Sequence, residues 1–232
     1  MVPSPKFIYF DLDDTLLDHK LAERKALNDI HQHFDLFDNI SSRQLIDIYH
    51  DVNSAQWKLY SRAEVTKNEL QRNRFEITLQ ELGLNKNRHA QVGSQYMRFY
   101  QNHWQWMDGA RPAFESIKKH YPVGILTNGF TETQKKKFAQ FDLYNQAKHL
   151  VISEDVGVMK PHPDVFDHAT KLTGHQPHEI LYVGDSYSSD VTGGTNFGWN
   201  VAWFKQDGDL SKHVKADIVF NDFKYLTDLL KV

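Results

Sequence analysis

Hydrophobic positions along the chain change their period more than once. The first apolar run, Phe7-Ile8-Tyr9-Phe10, stops abruptly at Asp11-Leu12-Asp13-Asp14-Thr15. Aromatic and β-branched residues without polar alternation predict a strand covered on both faces. After Leu17 the spacing turns helical and stays so for almost ninety residues. Leu27, Ile30, Phe34 and Phe37 recur at helical intervals, as do Leu45, Tyr49 and Val52. Thr66 with Glu69 predicts a capping-box start, followed by Leu70, Phe75, Leu79 and Leu82 and a stop at Gly83. Val92, Tyr96, Phe99 and Tyr100 mark a further helix. Four helices in succession predict a bundle inserted after the first strand.

From about Asp108 helix and strand alternate. A helix carrying Phe114, Ile117 and Tyr121 leads to the strand Pro122 to Leu126, which ends at Thr127-Asn128-Gly129. Thr131 and Gln134 are expected to cap the next helix, which buries Phe138 and Phe141. His149 to Ile152 is a short strand, and Pro163 opens a helix whose buried face is Phe166, Ala169 and Leu172, with Gly174 as its end. Strands follow at Glu179 to Val183, Asn200 to Phe204 and Asp217 to Phe220, and a last helix carries Leu226, Leu229 and Leu230. This alternation predicts an α/β protein with a Rossmann-like open parallel sheet and right-handed crossovers. The expected division is a core of residues 1–17 and 106–232 with the helical insertion at 18–105.

Composition narrows the function classes. The chain has 232 residues, 40% hydrophobic and 13% aromatic, enough for a real core. A formal charge of -3 provides no basic field for polymeric nucleic acid. Zero cysteines exclude disulfides, thiolate metal sites and a cysteine nucleophile. Met1 to Lys6 hold no apolar targeting region, and no apolar run reaches the roughly 20 residues that span a bilayer. A soluble cytoplasmic protein is therefore expected.

The polar clusters fall just after strands, at the carboxyl edge where open α/β sheets bind ligands. Asp11 and Asp13 end the first strand and Asp185 follows a later one. Converging carboxylates repel, and a hard oxygen-seeking cation is the ordinary remedy, which favours Mg²⁺ in a chain without cysteine. Asp11 is then a candidate nucleophile toward phosphorus, and Asp13 a candidate proton donor and acceptor. Thr127 offers a hydroxyl, Asn128 an amide, Gly129 a closely approached backbone, and Lys160, before Pro161, a point charge for a phosphoryl group.

Asp11-x-Asp13-x-Thr15, Thr127-Asn128, Lys160-Pro161 and Gly184-Asp185 with Asp190 after four intervening residues resemble, in order, the four motifs of haloacid dehalogenase superfamily phosphatases. The inserted bundle resembles the helical cap that one of its subfamilies carries between the first two motifs. The resemblance implies Asp11 as nucleophile and Asp13 as general acid/base. It also implies that Thr127 and Lys160 hold the phosphoryl group with Asn128 nearby. Mg²⁺ would take Asp11, the main-chain carbonyl of Asp13 and Asp185, supported by Asp190. Leu126 to Thr131 and Val151 to Pro161 are similar to bacterial pyrimidine 5'-nucleotidases of this superfamily, as is, more loosely, Trp57-x-x-Tyr60 through Leu70 to Phe75. The implied substrate is a small phosphate ester, a nucleoside monophosphate first.

Other residues are expected to serve packing or solvation. Trp57, Tyr60, Trp104 and Trp106 could stack on a base and Arg72 or Arg74 contact a substrate, but packing of the bundle or its solvated face is the better reading of each. Lys135-Lys136-Lys137 reads as an exposed helix face, and Asp14 and Asp18 as solvated or capping residues. His31 and His33, two apart on a helix, point apart and make no metal pair. Among alternatives, a phosphatase or phosphomutase for sugar phosphates shares the motifs. A 2-haloacid dehalogenase would need neither Asp13 nor the metal. A signalling receiver is about half this length, and an inactive scaffold would be expected to have lost one of the catalytic residues. Two short connections, near Leu17 to His19 and Trp104 to Asp108, would permit hinge closure.

Overall fold

The computed structural model describes residues 4–206 and 215–232. Met1 to Pro3, part of the segment read above for targeting, lie outside the described residues. The chain divides into two compact units, Met1–Asp18 with Trp106–Val232, and His19–Gln105.

The first unit is built on six parallel strands: β1 (Phe7–Phe10), β2 (Val123–Thr127), β3 (His149–Ile152), β4 (Ile180–Gly184), β5 (Asn200–Phe204) and β6 (Ile218–Phe220), in the order β3-β2-β1-β4-β5-β6. The α/β class expected from the alternating pattern is what the chain forms. β1 is central: Ile8 pairs with Val123 on one side and Leu181 on the other. All four β1 residues are buried, which is why the run shows no polar alternation. Ile8 and Phe10 pack with Phe114 and Ile117, while Phe7 and Tyr9 face a second apolar layer around Phe166 and Trp199. The strand order reverses across β1, so the crevice of the sheet opens at the ends of β1, β2 and β4.

Connecting helices in this unit are α5 (Ala110–His120), α6 (Thr131–Gln140), α7 (Leu143–Gln146), α8 (Ser153–Val156), α9 (Pro163–Thr173), α10 (Thr192–Phe197) and α11 (Phe223–Leu230) (the four earlier helices form the other unit). A π-helical turn, Tyr187–Val191, precedes α10. Pro163 and Gly174 start and stop α9 as their residue types dictate, but Leu172 is 43% exposed rather than part of the buried face. Val165 takes that place, fully buried beside Phe166 and Ala169.

The second unit contains α1 (His19–His33), α2 (Ser42–Ser61), α3 (Lys67–Glu81) and α4 (His89–Asn102). Phe34 and Phe37 are buried but lie beyond the end of α1, in and before a short 3-10 turn. Reciprocal capping boxes start α2 (Ser41 with Gln44) and α3 (Thr66 with Glu69). Thr66→Ala removes an N-cap acceptor and should lower stability by about 0.5–2 kcal/mol, read from a urea midpoint; an unchanged midpoint would mean the end of α3 frays freely.

Aromatic rings fill this bundle: Tyr96 lies 5.2 Å from Phe75, 5.4 Å from Tyr49 and 5.7 Å from Tyr100 between ring centroids. The Arg74 guanidinium sits over Phe75 and Tyr96 at 5.2 and 5.6 Å, so it packs within the bundle. Trp57 and Tyr60 meet edge to face. Trp106 belongs to the other unit, against Phe114 and Phe141. The period of apolar residues did not reveal the buried polar residues of the bundle. Glu23 is buried and accepts from Asn53 Nδ2 at 3.0 Å, with His50 Nδ1 3.4 Å and His19 Nε2 3.8 Å away. His31 bonds the Ile40 carbonyl and His33 stacks edge-on to Phe34, each apart from the other. Among the described residues no helix is long and apolar enough to cross a membrane.

Candidate active site

Asp11 follows β1 directly, its N–H bonded to the Val183 carbonyl of β4 at 2.8 Å. It is 6% exposed. A carboxylate held there must be compensated, and the compensation comes from a residue 149 positions away. Lys160 Nζ donates to Asp11 Oδ1 at 2.6 Å, to Tyr182 Oη at 2.5 Å and to the Leu126 carbonyl at 3.2 Å, and pairs with Asp190 Oδ1 at 2.8 Å. Burial pushes the Asp11 carboxyl up to about 7; Lys160 opposes this, and the charges of Asp190 and Asp13 add to it. Burial works against the Lys160 charge, but Asp11 and Asp190 outweigh it and hold its pKa above the ordinary lysine value. Burial, then Asp190 and Asp11, keep the Tyr182 phenol protonated, so it donates to the Leu126 carbonyl at 2.9 Å, with Asp190 Oδ1 at 3.3 Å.

Asn128 lies beside Lys160. Its Oδ1 accepts the Lys160 N–H at 2.8 Å and its Nδ2 donates to the Lys160 carbonyl at 2.9 Å. Both ends of the amide are engaged with the main chain of Lys160, which precedes a cis peptide bond to Pro161. The Asn128 side chain thus fixes the main chain of the lysine.

The largest departure from the sequence reading is on α6. Gln134 does not cap that helix: Phe130 is the N-cap residue and makes no side-chain bond, while Glu154 accepts the Thr131 N–H at 2.6 Å. Gln134 Nε2 donates to Asp13 Oδ2 and to Thr127 Oγ1, both at 2.9 Å. Lys137, expected on an exposed face, is 2% exposed and its Nζ donates to Asp13 Oδ1 at 2.5 Å. Lys135 and Lys136 are exposed as the run suggested. Gln134, Lys137, Phe138 and Phe141 share the i, i+3, i+4, i+7 spacing of one helix face, and that was the available signal. Gly129 is required beside Gln134, because a Cβ there would overlap its amide group.

Asp14, expected to be solvated or capping, is 8% exposed and left-handed at φ 61°. Its N–H bonds the Leu17 carbonyl at 2.7 Å, and Gln206 donates to its carbonyl at 3.2 Å, so it shapes the turn after Asp13. Asp18 is half-buried.

Carboxylate oxygens of Asp11, Asp185 and Asp190 lie within 4.8 Å of one another. Asp190 is fully buried, with Oδ1 on Lys160 and Oδ2 accepting the Ser186 N–H at 2.9 Å. Gly184 leaves room for it, since a Cβ would stand 2.5 Å from Asp190 Oδ2. Trp203 Nε1 donates to the Asp185 carbonyl at 2.7 Å and fixes that main chain. An all-oxygen donor set of this kind fits a hard divalent cation such as Mg²⁺. Among the described residues, Thr15 Oγ1 and Gln134 Oε1 are buried with no hydrogen-bond partner.

A buried carboxylate, a lysine bound to it and an acidic cluster thus gather at the switch point of a parallel sheet in an α/β protein. The model of the haloacid dehalogenase-like hydrolases matches residues 5–198, and the chain belongs to this family. Pyrimidine 5'-nucleotidase PynA of Streptococcus pneumoniae is 29% identical over 227 residues, 97% of this chain and 93% of the relative. The glyceraldehyde 3-phosphate phosphatase of Pyrococcus furiosus is also 29% identical, over 239 residues, with the same shares of 97% and 93%. The magnesium-bound crystal structure of the HAD-hydrolase YfnB from Bacillus subtilis, which reveals interdomain movement, is similar with a TM-score of 0.85. It is 26% identical and the match covers 98% of this chain and 99% of that one.

Proposed function

We propose that the protein is a Mg²⁺-dependent phosphomonoester hydrolase that works through an aspartyl-phosphate, with pyrimidine nucleoside monophosphates as its substrate class. One observation carries the reaction type: Asp11, held by Lys160, stands at the same sheet edge as a second carboxylate, Asp13, which has its own donors. A dehalogenase mechanism has no use for that second group.

An oxygen of Asp11 forms a bond to phosphorus as the ester P–O bond breaks, and Asp13 gives its proton to the departing oxygen. Asp13, now ionised, takes a proton from water. The water oxygen bonds to phosphorus, the Asp11–phosphorus bond breaks, and inorganic phosphate leaves with Asp11 regenerated. Thr127 and Lys160 hold the phosphoryl oxygens, where fixed donors count most. Asp11, the Asp13 main-chain carbonyl and Asp185 would hold Mg²⁺, which would neutralise charge around the phosphoryl group. Asp190 buttresses Lys160 and the cradle.

Nucleotide preference is supported by the similarity to PynA and by the stretches Leu126 to Thr131 and Val151 to Pro161. A phosphate-release screen with Mg²⁺ across nucleoside monophosphates, sugar phosphates and triose phosphates tests it. UMP, dUMP or TMP should lead, and EDTA should abolish release. Preference for triose or sugar phosphates would move the protein to the class of the Pyrococcus furiosus relative and leave the reaction intact.

A further inference from the structure

Two α6 side chains are the feature that the reaction scheme leaves unexplained. A helix one turn after the second motif buries an ammonium and an amide, and both point at the same carboxylate. Burying Lys137 is costly unless it is paired, and an apolar residue would serve a merely structural helix face better.

We propose that Gln134 and Lys137 are positioning residues that aim the Asp13 carboxylate at the leaving-group oxygen. This inference rests on the phosphatase reading. The two carboxylate oxygens are separately engaged, Oδ1 by Lys137 at 2.5 Å and Oδ2 by Gln134 at 2.9 Å. Two donors on two oxygens fix the plane of the group as well as its place, which one donor cannot do. Gln134 Nε2 also reaches Thr127 Oγ1 at 2.9 Å, so one amide ties the proton-transferring group to the phosphoryl-binding hydroxyl. Gln134 is 1% exposed and its amide occupies the space that Gly129 leaves open, so burial and its two bonds hold it in place. The bracket spans 121 and 124 residues of sequence, from the start of the chain to α6. General acid catalysis depends on placement within hydrogen-bond reach, and preorganising it is the purpose of such a support.

The two α6 residues should separate by ester. A proton donor matters for an alkyl phosphate, whose leaving oxygen is strongly basic, and little for p-nitrophenyl phosphate, whose leaving group departs as a stable anion. In Lys137→Met, kcat/KM for an alkyl monophosphate should fall by about 10–10²-fold, a part of the range for losing a general acid. The fall for p-nitrophenyl phosphate should be under about threefold, and inhibition by inorganic phosphate should be unchanged. Gln134→Leu should show the same ester discrimination together with weaker phosphate inhibition, because Thr127 loses its partner. Asp13→Asn sets the full scale of discrimination, and Lys136→Met, at an exposed position, should match wild type. Circular dichroism confirms folding, and Gln134→Leu carries the test if Lys137→Met does not fold. Equal losses on both esters, or none, would overturn the positioning role while the phosphatase reading stands. A wild type that releases phosphate from neither ester would overturn both.

Discussion

Asp11→Asn is expected to lose turnover by on the order of 10⁵–10⁶-fold, the scale seen when a covalent nucleophile is removed. It should also become more stable. Burial raises the Asp11 carboxyl to about 7 in the folded protein against an ordinary value of 3.8. Between these values the native state binds more protons than the unfolded chain, so the free energy of unfolding falls as pH rises through about 4 to 7. A neutral amide removes that slope and can still accept a bond from Lys160, which keeps Asp190 as its ionic partner at 2.8 Å. In EDTA at pH 8, Tm should therefore rise by about 2–6 °C, and the gain should vanish toward pH 4. Phosphate release and calorimetry check the two halves. Residual activity within a hundredfold of wild type would remove Asp11 as nucleophile, and a pH-independent Tm shift would remove burial as the cause.

How much of this site the sequence discloses depends on the kind of restraint. Asp11, Asp13, Thr127 and Asp185 are legible because each lies at or just after the end of a buried apolar strand, and in a parallel sheet such ends share one edge; Lys160 and Asp190 are legible only through the motifs they complete. Gln134 and Lys137 are not legible in the same way. Helix period places them on the face of Phe138, yet the triple-lysine run and the Thr131–Gln134 spacing mimic a solvated face and a capping box. Only the docking of α6 against the sheet makes that face part of the site. Asn128 and Tyr182 are hidden for a related reason. A turn asparagine and a strand tyrosine have many ordinary explanations, and their partner, Lys160, is brought to them by tertiary structure.

The fold divides similarly. The inner strands and the cap boxes at Ser41 and Thr66 follow from local residue chemistry and from covered apolar runs. Glu23, Asn53 and Gln56, buried in the bundle, interrupt the apolar pattern and cannot be placed by it. Their burial is bearable because the polar groups meet one another, as Asn53 meets Glu23 and Asn73 meets Gln56 at 3.0 Å. Such pairings are written in three-dimensional proximity rather than in spacing.

Lys160→Met is expected to produce the largest loss of stability of any single exchange at the site. The amine is 3% exposed and stands between Asp11 and Asp190. Methionine retains most of the stem but leaves two buried carboxylates, within 4.8 Å of each other, without their shared cation. Breaking a buried ionic cluster from one side costs about 3–5 kcal/mol, which for a chain of this size lowers Tm by about 6–20 °C. The sign of the pH effect follows from the orphaned groups. Without Lys160 the Asp11 carboxyl loses the charge that opposes the effect of its burial, so its folded-state pKa must rise and the native state is weakest where Asp11 is ionised. The deficit should be greatest above pH 7 and shrink as pH falls toward 4, where Asp11 takes up a proton. Urea unfolding in EDTA across this range measures it. A deficit of constant size would assign the loss to packing of the lysine stem. Mg²⁺ supplies a second test, since a cation in the Asp11–Asp185 cradle replaces part of the missing charge. Its addition should raise Tm more in Lys160→Met than in wild type, whereas phosphate release should remain lower by about 10²–10³-fold, because the donor proposed for the phosphoryl group is still gone.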